Sequence, residues 1–374
     1  MKRTNRLTLV MIVFLMAFMP MKITAQKSNQ KTNIIFLFAD DAGYNDFGFQ
    51  GSKYFKTPNL DKLASEGMIF KEAYTTDSVC GPSRAGLLTG MYQQRYGIEE
   101  NNVPGYMSES SRLNDDEMGL PLNIKTIADY LHPLGYKSIV LGKWHLGNAD
   151  RYHPLKRGFD EFYGFRGGAR SFWPLTQTEA ANRPEDRLER GFGNYAEPTK
   201  YITDDFADKA CDFMEENKKN PFFMYVSFNA VHSPLHTTDE DMAKIKGLTG
   251  KRQQLAAMTL ALDRACGQIL DKLKKLGLEK NTLIVFSNDN GGPDGTETSN
   301  YPLSGCKSNF LEGGIRVPFI MKLPSVIKPG STYDKSISML DMVPTFINLA
   351  GGNASTIKVL DGVDLMPFVT NKNT

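Results

Sequence analysis

The 374-residue chain is poor in histidine, with five, in cysteine, with four, and in tryptophan, with two. It also lacks charge of one sign, since 44 basic residues face 42 acidic ones for a formal balance of +2. With that near-neutral balance, nothing in the sequence asks for a nucleic-acid partner. No internal repeat or low-complexity tract interrupts the sequence, which argues against a solenoid or a disordered scaffold. Four cysteines in a chain of this size are not a disulfide framework, because a large hydrophobic core needs no covalent staples. Cys80, Cys211, Cys266 and Cys306 are expected to be mostly buried or free thiols. Past the N-terminus there is no second long hydrophobic run, so stable membrane insertion is not expected.

The single long apolar run lies at residues 7–19, preceded by Lys2, Arg3 and Arg6 and followed by the small-residue site Ile23-Thr24-Ala25. That is the layout of a signal peptide over residues 1–25, leaving one domain over 26–374 in an exported protein, periplasmic or secreted. Its removal takes four basic residues and no acid, which brings the charge to about −2. Hydrophobic content of 41% suits a packed globular domain.

Short, nearly continuous apolar runs at residues 33–38 (NIIFLF), 137–141 (KSIVL), 222–228 (FFMYVSF), 282–287 (TLIVFS) and 317–323 (VPFIMKL) read as strands covered on both faces. Helical patterns separate them at 59–66, 82–89, 124–131, 252–275 and 342–350, the last with Asp341 as its expected N-cap. This alternation predicts an α/β fold, a mainly parallel central sheet sandwiched by helices. In such sheets ligands bind beyond the carboxyl ends of the strands.

The residues just past each run are therefore informative. The first run leads into Asp40-Asp41 and the fourth into Asp289-Asn290. Alone, the Asp-Asp pair reads more readily as a turn or a helix cap. If the two strands are parallel neighbours, three carboxylates and an amide meet at one sheet edge, a donor set suited to Ca2+ or Mg2+. The second run leads to Lys143 and His145, the third to His232, so two of the five histidines fall directly after strands. Lys307, upstream of the fifth run, reaches the same edge, while Arg316 is expected to pair with Glu312 inside its own loop. A divalent cation with Lys143, Lys307, Arg84, His145 and His232 suits a tetrahedral oxyanion with a leaving oxygen.

The stretch CGPSR at residues 80–84 places Cys80 at the mouth of a helix, because Pro82 fits a first turn. Free N–H groups and the positive dipole end lie there, and with Arg84 they would lower a thiol pKa. The five residues, continued by LTG at 88–90, resemble the signature of the type I, formylglycine-dependent sulfatases of the alkaline phosphatase-like superfamily. NIIFLFADDAGYNDFG, TPNLDKLASEGMIF, GKWHLG, RGFDEFYGF, SNDNGG and CKSNFLEGGIRVP resemble further family blocks, in family order, over nearly the whole chain.

The resemblance implies that Cys80 is oxidised to formylglycine by a maturating enzyme, and that its hydrated aldehyde is the nucleophile. It implies Ca2+ ligation by Asp40, Asp41, Asp289, Asn290 and an oxygen of modified Cys80. Arg84 would hold the hydrate, Lys143 the sulfate, His145 would act on the hydrate, and His232 and Lys307 would stand by the leaving oxygen. Ser83 would support the helix start by a local hydrogen bond. The substrate implied is a sulfated carbohydrate, as for bacterial glycan sulfatases. The family's late block DGVDLMP is normally followed by a C-terminal subdomain, which is expected to be missing or truncated here. Two alternatives stand beside this reading, a phosphate or phosphonate ester hydrolase of the same superfamily and a glycan-binding pseudoenzyme. The loops over residues 166–201 carry no readable substrate code; Trp173 there either stacks on a sugar or packs on its own domain.

Overall fold

A computed structural model of the chain describes residues 31–101, 117–324 and 326–370. The expected signal peptide lies outside the described residues. Apolar runs with β-branched and aromatic content form the strands β1 (Asn33–Ala39), β2 (Met68–Phe70), β3 (Ala73–Tyr74), β4 (Lys137–Lys143), β5 (Glu161–Phe165), β6 (Glu189–Arg190), β7 (Phe222–Ser227), β8 (Thr282–Asn288), β9 (Phe319–Lys322), β10 (Ser331–Tyr333) and β11 (Ile337–Ser338). Nine of them make one sheet in the order β10-β2-β9-β8-β1-β7-β4-β5-β6, and β3 pairs with β11.

The five central strands, β8-β1-β7-β4-β5, are all parallel. Alternate residues on them feed two cores. Ile35, Leu37, Met224, Val226, Ile284 and Phe286 face one, and Ile34, Phe36, Phe38, Phe223, Tyr225 and Val285 face the other. The first is covered by helices Pro58–Glu66, Ile202–Asn217 and Gly250–Lys275, the second by Cys80–Thr89, Ile127–Leu131 and Met342–Leu349. Each large apolar side chain buried this way stabilises the fold by about 1.5–3 kcal/mol. Among the described residues no helix is long and apolar enough to cross a membrane.

Two details differ from the sequence-based expectation. The fifth expected strand, β9, runs antiparallel to β8 and β2. The connection from β8 holds a 3-10 turn, Asp294–Thr296, and the four-residue helix Glu312–Ile315, and neither is the long crossover helix that usually returns the chain for a parallel pairing. Asp341 stands at the N-cap position of the helix beginning at Met342, as expected, but its side chain makes no cap hydrogen bond to that helix. A turn of 3-10 helix, Met339–Asp341, comes first, Ser338 caps it, and Asp341 accepts the Ser338 N–H at 2.8 Å as the reciprocal half of a capping box.

Candidate active site

The register of β1 and β8 decides the site, because Ala39 pairs with Asn288 and the two chains leave the sheet side by side. Asp40, Asp41, Asp289 and Asn290 are consequently adjacent and buried. Asp41 adopts a left-handed backbone with φ 60°, and its N–H donates to Asp289 Oδ1 at 3.2 Å. Asn290 Nδ2 donates to Asp41 Oδ1 at 2.7 Å. The oxygen of that amide, Asn290 Oδ1, is buried without a partner.

Cations surround the acids. Lys143, the last residue of β4, places Nζ 2.8 Å from Asp40 Oδ2, and Lys307 Nζ lies 2.7 Å from Asp41 Oδ2 and 3.2 Å from Cys80 Sγ. Arg84 donates through Nη2 to Asp289 Oδ2 at 2.7 Å and stands 3.7 Å from Asp40 Oδ1. Its Nη1 donates to Ser227 Oγ, which itself donates to the Lys143 carbonyl at 2.7 Å. His232 Nε2 lies 3.4 Å from Asp41 Oδ2. His145 is 6% exposed with φ 58°, and its Nδ1 has no partner.

These charges set the ionisation. Burial acts to raise the Asp289 pKa, but Arg84, Lys143 and Lys307 outweigh it and hold the carboxyl well below the usual range. Asp41 is likewise held low, since Lys307 and His232 overcome the effect of its burial. Asp40 moves up, through burial first and then the Asp289 charge. Burial, followed by Lys143, Arg84 and Lys307, keeps His145 neutral well below its ordinary pKa.

The structure corrects the expected state of Cys80. It is the first residue of its helix, with Val79 as N-cap, and the Gly81 N–H is taken by Asn101 Oδ1 at 2.8 Å. Burial pushes the thiol up to about 12, an effect that Lys143 and Lys307 only partly offset. An unmodified Cys80 is therefore a neutral thiol, not the activated thiolate that a helix terminus and an arginine suggest. Ser83 is corrected too, because its Oγ bonds across the site to the Asp289 carbonyl at 2.5 Å.

The donors fit a hard cation. Three carboxylates and an orphaned buried amide oxygen converge, and such oxygen sets suit Ca2+ or Mg2+. Ligand atoms of Asp40, Asp41, Cys80 and His232 also lie within 4.8 Å of one another. With the sulfur in place that subset is mixed hard and soft; with an oxygen at position 80 the set of oxygens is extended.

All the residues expected at the sheet edge, namely Asp40, Asp41, Cys80, Arg84, Lys143, His145, His232, Asp289, Asn290 and Lys307, are brought to it. Cys80, His145, His232 and Lys307 open onto a cleft of about 910 Å³. Its outer wall was not legible in the sequence: Glu100, Asn101, Asn148, Asn182, Arg183 and Glu185 are polar residues of loops and short helical turns, without periodicity. Ser227 was also missed, hidden as the last residue of an apolar strand. Arg316 pairs with Glu312 at 3.1 Å, as expected. Trp173 packs on Tyr201 with ring centroids 5.3 Å apart, and neither it nor the buried Arg170, which pairs with Glu197 at 2.8 Å, lines the cleft. All four cysteines are free.

Comparison with known proteins agrees with this geometry. The family model described as Sulfatase matches residues 32–352. The chain is 32% identical over 359 residues to N-acetylgalactosamine-6-sulfatase of Mus musculus, covering 92% of this chain and 67% of that protein. It is 31% identical over 424 residues to steryl-sulfatase of Rattus norvegicus, covering 93% and 72%. It thus spans about two thirds of the length of the mouse relative. The crystal structure of Ps i-CgsB in complex with k-i-k-neocarrahexaose has a TM-score of 0.84 and 40% identity, covering 92% of this chain and 77% of that one. The phosphonate monoester hydrolase of Agrobacterium radiobacter, 18% identical with a TM-score of 0.65 over 92% of this chain and 78% of that one, shares the fold.

Proposed function

The chain belongs to the sulfatase family and is a sulfuric ester hydrolase; we propose that it acts on a sulfated carbohydrate, with formylglycine made from Cys80 by a maturating enzyme and with Ca2+ beside it. The observation that carries this reading is the placement of position 80. It sits between a cluster of oxygen donors and the Lys307 ammonium, 3.2 Å away, at the floor of a polar cleft. The carbohydrate assignment is supported by that cleft, whose described lining offers amides, carboxylates and a guanidinium able to hydrogen-bond hydroxyl groups, and by the oligosaccharide bound to Ps i-CgsB. We also propose export, on the N-terminal sequence pattern.

When bound, Ca2+ supplies positive charge next to the oxygens of position 80 and of the sulfate. A hydrated aldehyde there supplies two hydroxyls, one to displace the alcohol from sulfur and one to expel sulfate as the carbonyl reforms. The protein's own side chains do the rest. Lys143 and Lys307 hold the negative charge of the sulfuryl group, and Arg84 orients the residue at position 80 from below. His232, at the cleft surface, gives a proton to the departing alkoxide. His145, kept neutral by burial and by the surrounding cations, accepts the proton of the second hydroxyl. Water restores the hydrate, so one ester and one water yield an alcohol and hydrogen sulfate.

The test combines mass analysis of the peptide containing position 80, from a host able to mature it, with release of sulfate from an aryl sulfate and from sulfated oligosaccharides. Matured protein is expected to turn over, and Cys80→Ser to be inactive. Matured protein that frees no sulfate from any ester defeats the reading.

A further inference from the structure

We propose that Arg166 is a positioning residue that locks the His145 imidazole to the wall of the cleft. The inference rests on the reading of His145 as the group that accepts a proton in the sulfatase reaction. His145 holds a left-handed backbone, φ 58°, which non-glycine residues keep only where their surroundings over-determine it. The constraint here is a continuation of the β4–β5 pairing beyond the strand ends. Trp144 N–H donates to the Phe165 carbonyl at 3.0 Å and His145 N–H to the Arg166 carbonyl at 3.1 Å. Gly168 then closes on the ring, where a Cβ would lie 2.6 Å from His145 Nε2.

Arg166 is itself fixed in every direction. Its N–H and that of Gly167 donate to the Glu185 carbonyl at 3.0 and 2.9 Å, and Gly167 and Glu185 both line the cleft. Its guanidinium takes both oxygens of buried Glu189 at 2.9 Å, and its Nη1 reaches the Asn148 carbonyl at 2.9 Å and Asp150 Oδ1 at 2.7 Å. Glu189 accepts the Gly193 N–H at 2.6 Å and stands 3.4 Å from His153 Nε2. The main chain of Arg166 thus touches the His145 backbone, while its side chain is clamped to two other segments, residues 148–150 and Glu189. A planar fork makes those contacts at once, and a lysine ammonium does not.

The test uses Arg166→Lys, which keeps a charge opposite Glu189, with Glu189→Gln as a second variant. Arg166→Lys is expected to keep the thermal midpoint within a few degrees while kcat for an aryl sulfate falls about tenfold and KM changes less than about twofold. In a His145→Ala background the same substitution is expected to change kcat less than about twofold, because a residue acting through another has no separate effect once that residue is gone. An equal factor in both backgrounds, or an unchanged kcat in Arg166→Lys, overturns the inference. An independent arm uses unmatured protein with its native Cys80 thiol and reads imidazole NMR signals. Only five histidines are present, so the His145 signal is identified by its loss in His145→Ala. It is expected to shift in both variants, with His153 also moving in Glu189→Gln; an unmoved His145 signal in both overturns the inference even if no ester proves to be a substrate.

Discussion

Two arginines each grip two carboxylates, and the difference between them separates chemistry from architecture. Arg84 is fully buried between Asp289 and Asp40 at the sheet edge. Arg264, with its side chain 37% exposed, joins Asp204 at 3.0 Å and Asp241, tying together the three helices that carry these residues. This outer cluster keeps Arg264 and Asp204 within reach of water, while Asp241 is buried, so it costs less to form than a cluster with every charge dry. The buried cluster gathers three acids and three cations in a dry site, where desolvation opposes every charge and a hydrophobic replacement would often be as stable. Stability of the fold therefore does not account for this cluster, whereas the proposed reaction does.

Substitution at the two arginines tests that contrast most directly. Arg84→Met is expected to lower kcat by about a hundredfold to a thousandfold. It also leaves Asp289 and Asp40 without their guanidinium, at a loss of about 3–5 kcal/mol in chemical denaturation. Full activity in this variant would end the functional account of the buried cluster. Next in size is the cation. Ca2+ at a hundred times its Kd should raise stability by about 2.7 kcal/mol, and chelation should reverse this together with activity. Asp289→Asn should weaken both responses, and a thermal midpoint indifferent to chelation would remove the metal from the site.

Arg264→Met should leave kcat unchanged and cost about 1–3 kcal/mol, because buried Asp241 loses its guanidinium and keeps Thr238 as a hydrogen-bond partner; a loss of kcat as large as that of Arg84→Met would erase the distinction. A last test concerns a buried acid with no cation in contact. Burial pushes Asp77 up to about 6 from its ordinary 3.8, although Val79 N–H and Gln93 Nε2 bond to it. A carboxyl whose pKa is raised by folding adds stability below pH 3.8 that is lost as pH rises through about 6. Asp77→Asn should therefore raise the thermal midpoint at pH 7.5 and leave it nearly unchanged at pH 4, with Gln93 Oε1, buried and unpartnered, positioned to accept the new amide after a flip. A midpoint lowered equally at both pH values would contradict this.

The sequence reading succeeded where chemistry sits one or two residues after a doubly covered strand. Asp40, Asp289 and Lys143 are found from the apolar runs that precede them, because a parallel sheet sends those ends to one edge. It failed where the relevant neighbours are set by long-range contact. No periodicity marks Arg166 as the partner of Glu189, or Asn101 as the acceptor of the Gly81 N–H, since both belong to irregular loops. Cys80 failed for a different reason. The helix terminus suggested an acidic thiol, but the loss of solvent, visible only once the layers are packed, outweighs the nearby positive charge.

The two cores on either side of the sheet have a consequence for how this protein can change. Asp40, Lys143 and Asp289 are anchored at strand ends that both layers clamp, whereas the outer rim over residues 182–185 consists of short helical turns held by main-chain bonds to Arg166 and Gly167 and by ion pairs within the rim itself. Exchange of that rim between homologues should retarget the enzyme to a new saccharide without rebuilding its machinery, making diversification a matter of swapping margins around a fixed engine.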